Sequence, residues 1–409
     1  MGGRRRPMVK DDLIDKAPGR GPMTADAPDY VALYHKDLQG DFYGADYYRP
    51  PASGLDSAII YDDGEDKRAT AAFLALVFGP RRSLEAGCAL GLLVKALRGL
   101  GVEAEGFDFS RWCVENAHPA AKPWVRWGDV LDLAPPERPY DLVLALDILE
   151  HVPPASVPRM LANLAGALEP GGVLFTVVPA YGPNAFGSEL YPLQYEEWRR
   201  DAAAGTPFRN IPLDDRGRPH LGHLTHATIP WWESAFRKSG LRRLGDVERV
   251  LHERFDAAFE YPRRSFFVFV KAGPFGAGRA ERRLLRKIAA LPGLPRGFFE
   301  WERWGDVWAR WTRSEASDVI EVRGRSSFSL RAVCHHSDIA SSPVTVRFAV
   351  DGGAETAVEF RDKAWHEVRL ELPRQDFAVL DIRVSRTWCP EPEVPEGFRR
   401  ELGVGISFH

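Results

Sequence analysis

Between Arg81 and Pro179 the chain alternates short apolar runs with helix-forming stretches: RRSLEA, LLVKALRGLG, VEAEGFD, SRWCVENAH, WVRWGDV, YDLVLALD, SVPRMLANLAGALEPGG and VLFTVVP. Strands and helices repeating in that rhythm bury their apolar residues on a parallel sheet joined by right-handed crossovers. An open α/β sheet is therefore expected, with ligands at the carboxyl ends of its strands. At 409 residues the chain is too long for one ordinary core, so two or three domains are expected. No apolar run approaches the ~18 residues that cross a bilayer, which argues against a membrane span. A formal net charge of -3, with both signs interspersed, makes nucleic acid a poor partner. Cys88, Cys113, Cys334 and Cys389 lie far apart without CxxC spacing, which points to reduced thiols in a cytoplasmic protein.

The pattern changes on either side of the alternation. Residues 1–29, with MGGRRRPMVK followed by DDLIDKAPGR, read as a disordered arm. From Tyr30 to about Asp66 the tyrosine-rich, acidic text reads as a cover of loops and short helices, and RATAAFLALVFGP as a helix. After Pro179 a polar insertion (180–230) ends in HLGHLTHATIPWWESAFRKSGL, whose last part is a helix stopped at Gly240. RRSFFVFVKAG then reads as a closing strand, so the first domain spans 30–273. Residues 274–317 read as a helical connector. In it Trp301, Trp304, Trp308 and Trp311 line one helix face and are expected to pack against a domain or against a twin subunit, the second of which would make the chain a homo-oligomer. Residues 318–409 hold about seven short β-like runs, the signature of an all-β sandwich.

The turn after the first predicted strand, SLEAGCALG, offers Glu85, Gly87, Ala89 and Gly91. Small residues there let backbone approach a ligand and aim a helix N-terminus at it. The dinucleotide form G-x-G-x-x-G does not fit, because Leu92 and Leu93 stand where a third close-packing glycine would be needed. The turn resembles instead motif one of the class I S-adenosylmethionine-dependent methyltransferases, an acidic residue followed by G-x-G-x-G. The resemblance continues in order: Asp108 in GFDFS, GDV at Gly128 to Val130, ALDILEHV at Ala145 to Val152, and ALEPGGVLFTVVP. ALDILEHV closely resembles the strand-four end of the branch that includes the ubiquinone-pathway O-methyltransferases.

This resemblance implies a Rossmann-like doubly wound sheet, followed by the connector and the sandwich, with S-adenosylmethionine as cofactor. It implies cofactor-binding roles for Glu85, Gly87, Ala89, Gly91, Asp108, Phe109, Asp129, Val130 and Asp147. Asp108 would accept hydrogen bonds from the ribose hydroxyls, Asp129 would meet the adenine amine, and Val130 would pack on its ring. Ala89 departs from the motif's middle glycine, and one extra methyl there is expected to weaken or shift cofactor binding.

The cofactor's sulfonium already activates its methyl, so the protein has to align a nucleophile and, for a hydroxyl acceptor, help remove its proton. Candidate catalytic histidines are His151, beside Asp147 and Glu150 at the end of strand four, and His223 and His226 in PHLGHLTHATIPWW with His220. Asp214 or Asp215 with these imidazoles would make a metal site, although the expected site has none. Trp231 and Trp232 either stack on a sugar or belong to a core. The last stretch of the sandwich resembles modules of bacterial surface-polysaccharide enzymes, with Trp365 and Trp388 as candidate carbohydrate contacts. The expected function is O-methylation of a sugar or polysaccharide precursor in the cytoplasm. Alternatives are a small quinone-like or phenolic acceptor, and a non-catalytic glycan-binding or assembly protein.

Overall fold

The computed structural model describes residues 42–44, 65–182, 192–214, 217–255, 265–272, 276–290, 296–304, 307–322, 324–374, 377–390 and 400–408. The 1–29 arm, most of the tyrosine-rich cover and Asp215 lie outside the described residues. Two compact units are present: Met1–Asp62 with Pro80–Glu248 and Arg263–Arg282, and Asp63–Gly79 with Arg249–Pro262 and Arg283–His409. The helix expected from RATAAFLALVFGP is α1 (Glu65–Phe78), and it groups with the second unit.

The first unit is built on β1 (Arg82–Ala86), α2 (Leu92–Gly99), β2 (Glu103–Asp108), α3 (Arg111–Glu115), β3 (Val125–Trp127), β4 (Tyr140–Leu146), α4 (Val157–Ala167) and β5 (Leu168–Val178). Next come α5 (Glu196–Ala203), α6 (Ile229–Lys238), β6 (Leu241–Arg243), the start of α7 (Gly245–Phe255), which is in the first unit as far as Glu248, and β7 (Ser265–Lys271). Its seven strands run in the order β3-β2-β1-β4-β5-β7-β6, the first five parallel and β7 antiparallel to both neighbours. The α/β alternation expected from sequence is therefore present. Helix α4 shows why it forms: Val157, Met160, Leu161, Leu164 and Ala165 recur at helical spacing and are buried, and Pro158 sits in the first turn, where no amide partner is lost.

At the antiparallel edge Glu248 is fully buried. It accepts hydrogen bonds from Arg243 Nε at 2.9 Å and from the Val268 amide at 3.0 Å, and the guanidinium also reaches Glu233 at 3.1 Å. One carboxylate thus ties β6, α7 and β7 together.

The second unit contains α8 (Ala277–Ala290) in part, and the strands β8 (Arg296–Trp304), β9 (Val307–Glu321), β10 (Ser327–Val333), β11 (Val344–Val350), β12 (Thr356–Phe360), β13 (His366–Glu371), β14 (Phe377–Val384) and β15 (Gly405–Phe408). These eight strands form one antiparallel sheet, β12-β11-β14-β9-β15-β10-β13 with β8 on β9. It is nearly barrel-like around Leu330, Phe348, Phe360, Leu380 and Ile382.

The helical reading of FFEWERWGDVWARW is overturned. The stretch is the β8–β9 hairpin, with Trp301 paired to Arg310 and Arg303 to Trp308. Aromatic-rich text favours strands, and β9 continues through the notional boundary at 317 as a central strand paired with β14. Trp365 and Trp388 pack against Trp311, Val333 and Leu402. Among the described residues no helix is long and apolar enough to cross a membrane.

Glu248→Ala leaves the Arg243 charge in a buried setting without its main partner. A loss of about 3–5 kcal/mol is expected in urea unfolding, whereas a loss under about 1 kcal/mol would show that Glu233 alone suffices.

Candidate active site

The sheet brings the motif residues to one edge. In the parallel ladders Ala86 pairs with Phe107 on one side and with Ala145 on the other, so β1, β2 and β4 end nearly flush. Their following residues, 87–91, 108–110 and 147–151, meet there. Gly87 has φ 71°, and a Cβ on it would lie 2.1 Å from Ile148 Cγ2, so any larger residue would push the first loop off the strand-four segment. Gly91, at φ 73°, caps α2 against Ala121 and Val125.

Asp108 is buried, and both its oxygens are engaged: Oδ2 accepts from the Ala89 amide and Oδ1 from the Ser110 amide, each at 2.7 Å. The acidic end of β2 thus holds the middle of the Gly-rich turn in place. Ala89 lies at φ 45°, a left-handed conformation that costs a residue with a side chain about 1–2 kcal/mol. Burial pushes the Asp108 carboxyl up to about 6, against the lowering pull of the two amides.

The other expected cofactor residues stand along the same edge. Glu85 is buried in β1 and Phe109 follows β2. Asp129 accepts from the Leu131 amide at 2.8 Å and starts the short turn that carries buried Val130. Asp147 follows β4 at φ 53°, its amide bonded to the Val177 carbonyl at 2.9 Å.

The strand-four segment continues into a polar cluster. The Glu150 carbonyl accepts from the amides of both Leu224 (2.7 Å) and Thr225 (2.8 Å), and the Thr225 hydroxyl donates to the Val152 carbonyl at 2.6 Å. These bonds hang the histidine-rich segment on the end of strand four. His223 is thereby set against His151, ring centroids 4.9 Å apart, and its Nε2 lies 3.8 Å from Glu150 Oε1. One ligand atom each from Glu150, His151 and His223 lies within 4.8 Å of the others.

His151 Nδ1 lies 2.7 Å from the Tyr43 hydroxyl and 3.1 Å from the Gly222 carbonyl oxygen. A carbonyl only accepts, which assigns the hydrogen to Nδ1 and the lone pair to Nε2. Burial pushes His151 down to about 4, opposed by the Gly222 hydrogen bond, so the ring is neutral at physiological pH.

His226 has a different surrounding. Its Nδ1 is 2.8 Å from the Tyr181 hydroxyl, its ring stacks near Trp198, and burial pushes it down to about 4. The structure thus joins His151 and His223 and turns His226 into the aromatic cluster of Tyr181, Trp198 and Phe208. Asp214 is bonded to Arg218 at 2.9 Å, and the carboxylate beside the imidazoles is Glu150. Trp232 is core, while Trp231 lines a mostly apolar cleft of about 520 Å³ with Tyr181, Pro158 and Ala162.

Two participants escaped sequence reasoning. Glu150 was visible only as half of an acidic pair. Tyr43 came from text read as a general cover, yet it is buried, touches His151 and accepts from the Ser110 hydroxyl through its carbonyl at 2.8 Å. A Cβ on Gly222 would fall 2.2 Å from the Tyr43 hydroxyl, so that glycine is needed both for space and for its φ of 76°.

Comparison with known proteins bears on this edge. Residues 62–244 match the family model described as a methyltransferase domain. The ubiquinone biosynthesis O-methyltransferase of Methylococcus capsulatus is 29% identical over 196 residues, 39% of this chain and 77% of that protein. That of Xanthomonas campestris pv. campestris is 34% identical over 122 residues, 28% of this chain and 49% of the relative. The chain spans about half the length of most of the curated relatives it matches, 52% and 57% in two further cases. Among solved structures, the CcbJ methyltransferase from Streptomyces caelestis aligns with a TM-score of 0.37 at 23% identity, over 56% of this chain and 98% of that one.

Two outcomes follow. Ala89→Gly relieves the left-handed strain and is expected to raise stability by about 0.5–1 kcal/mol in thermal unfolding; a loss would mean that the methyl group packs usefully. Asp108, with a folded pKa above its ordinary 3.8, stabilises the fold below that value and loses the contribution as pH rises through about 6. The ribose-accepting role that the resemblance implies would need the ionised form, so in that role S-adenosylhomocysteine should bind about tenfold more weakly at pH 5 than at pH 7.5. Calorimetry on Asp108→Asn should show weak binding with that pH dependence gone; an unchanged pH profile would exclude the role.

Proposed function

We propose that this chain, built around an S-adenosylmethionine-dependent methyltransferase domain, methylates a hydroxyl oxygen on a sugar or polysaccharide precursor. The observation that carries the reading is the cluster of Glu150, His151 and His223 directly beyond the cofactor edge, with Ile148 packed on the Gly87 turn. An amine acceptor would bring its own lone pair. A hydroxyl must lose a proton to become a competent nucleophile, and this cluster is where the proton would leave. The acceptor oxygen then attacks the methyl carbon in line. The C–O bond forms as the carbon–sulfur bond breaks, and neutral S-adenosylhomocysteine departs.

The sugar reading is supported by the polar character of the cluster and by the eight-stranded antiparallel sheet, which lies beyond the matched residues 62–244. A second reading, a small phenolic acceptor, is favoured by the names of the ubiquinone relatives and by the apolar cleft beside Tyr181 and Trp231.

Assaying S-adenosylhomocysteine release over nucleotide sugars, catechols and amines separates these readings. Turnover is expected with hydroxylated sugars, and a preference for catechols would move the second reading to first place. His151→Ala should lower turnover by about 10²-fold with cofactor affinity unchanged. Undiminished turnover in that variant, or a preference for amines, would overturn the hydroxyl reading.

A further inference from the structure

We infer that Glu150, His151 and His223 form a binding site for one divalent first-row transition ion. The set is two imidazoles and one carboxylate, the donor mixture that suits zinc, manganese, iron or cobalt and leaves further positions open for oxygen ligands. The spacing suits an ion. Bonds of about 2.0–2.2 Å place neighbouring ligand atoms about 3–4 Å apart, and His223 Nε2 stands 3.8 Å from Glu150 Oε1. All three ligand atoms fall within 4.8 Å of one another, a span that small side-chain rotations close.

The surroundings are those of a built site. Glu150 and His223 are 1% and 8% exposed, so their positions are set by packing. The segment bearing His223 is fixed to the Glu150 backbone by two amide bonds, which prealigns ligands 73 residues apart (223 − 150) without using either side chain. His151 directs Nδ1 to the Gly222 carbonyl and the Tyr43 hydroxyl, the outer contact that fixes the tautomer of a ligating histidine and presents Nε2. His226, three residues from His223, is excluded by its bond to Tyr181.

The existence of the site is independent of the acceptor. Its use rests on the hydroxyl-methylation reading: an acceptor oxygen in an open position would become more acidic, its proton passing to water while the imidazoles serve as ligands.

The test uses the full chain, treated with chelator, dialysed and titrated calorimetrically with Mn²⁺ and Zn²⁺. One ion per chain is expected, with a Kd in the micromolar range or below. Glu150→Gln and His223→Gln should each weaken it by at least about 100-fold, Tyr43→Phe by about 10-fold, and the distant His366→Gln not at all. Both ligand variants keep the backbone bonds at 150, and titration with S-adenosylhomocysteine checks their fold. Should they fail that check, the wild-type protein decides: loaded with Co²⁺ it should give two hyperfine-shifted imidazole N–H resonances. No ion uptake by the wild type, affinity untouched by the ligand variants, or absence of those resonances would overturn the proposal. Ion uptake without S-adenosylhomocysteine binding would leave the site standing and sink the methyltransferase reading instead.

Discussion

The parallel pairing of β1 with β2 on one side and β4 on the other is the constraint on which the site depends. Parallel strands deliver all their carboxyl ends to the same edge, and here the three ends fall nearly level. Three loops distant in sequence become neighbours, each with one demand on its residues. The first must be small enough to pass Ile148, the second must end in a carboxylate, and the third must carry a polar segment outward. Buried apolar residues on both faces, Leu84, Val143 and Leu174 on one and Leu142, Leu144 and Phe175 on the other, hold the ladder that makes these demands compatible.

Within that edge two locally unfavourable features stand side by side. Asp108 is buried at a cost large enough to push its carboxyl up to about 6, and Ala89 is held at a positive φ. Their shared hydrogen bond links the two unfavourable features, since the amide of the strained residue helps hold the buried carboxylate. Local strain of this kind persists only where surrounding packing over-determines it, and the close contacts of Gly87 and Gly91 on either side do so.

The polar cluster is positioned through the backbone. Leu224 and Thr225 donate to the carbonyl of Glu150, so His223 arrives beside Glu150 and His151 through bonds that use no side-chain nitrogen or oxygen of the three. Tyr43 serves two elements at once, its hydroxyl on His151 and its carbonyl on Ser110 at the start of α3. The same tyrosine therefore connects the end of β2 with the cluster, which couples the position of one to the other.

Much of this was legible in the sequence where the deciding forces are local. Strand and helix periodicity between Arg81 and Pro179 foretold the sheet, and small or acidic residues at the strand ends marked the edge, because turns and strand ends constrain residue type directly. The tryptophan-rich stretch near 301–311 failed by the same logic: aromatic residues at mixed spacing suit a helix face or a hairpin, and only the partner strands β14 and β15 decide for β9. His223 and His226 make the clearest case. They share composition, spacing and neighbours, yet one joins Glu150 and His151 while the other bonds Tyr181. Their difference comes from hydrogen bonds to residues many positions away, and so does the arrival of Tyr43 at His151. Sequence alone determined the architecture of the first unit and the edge where the motif residues gather; tertiary structure decided which side chains meet there, because contacts across long chain separations leave no local pattern to read.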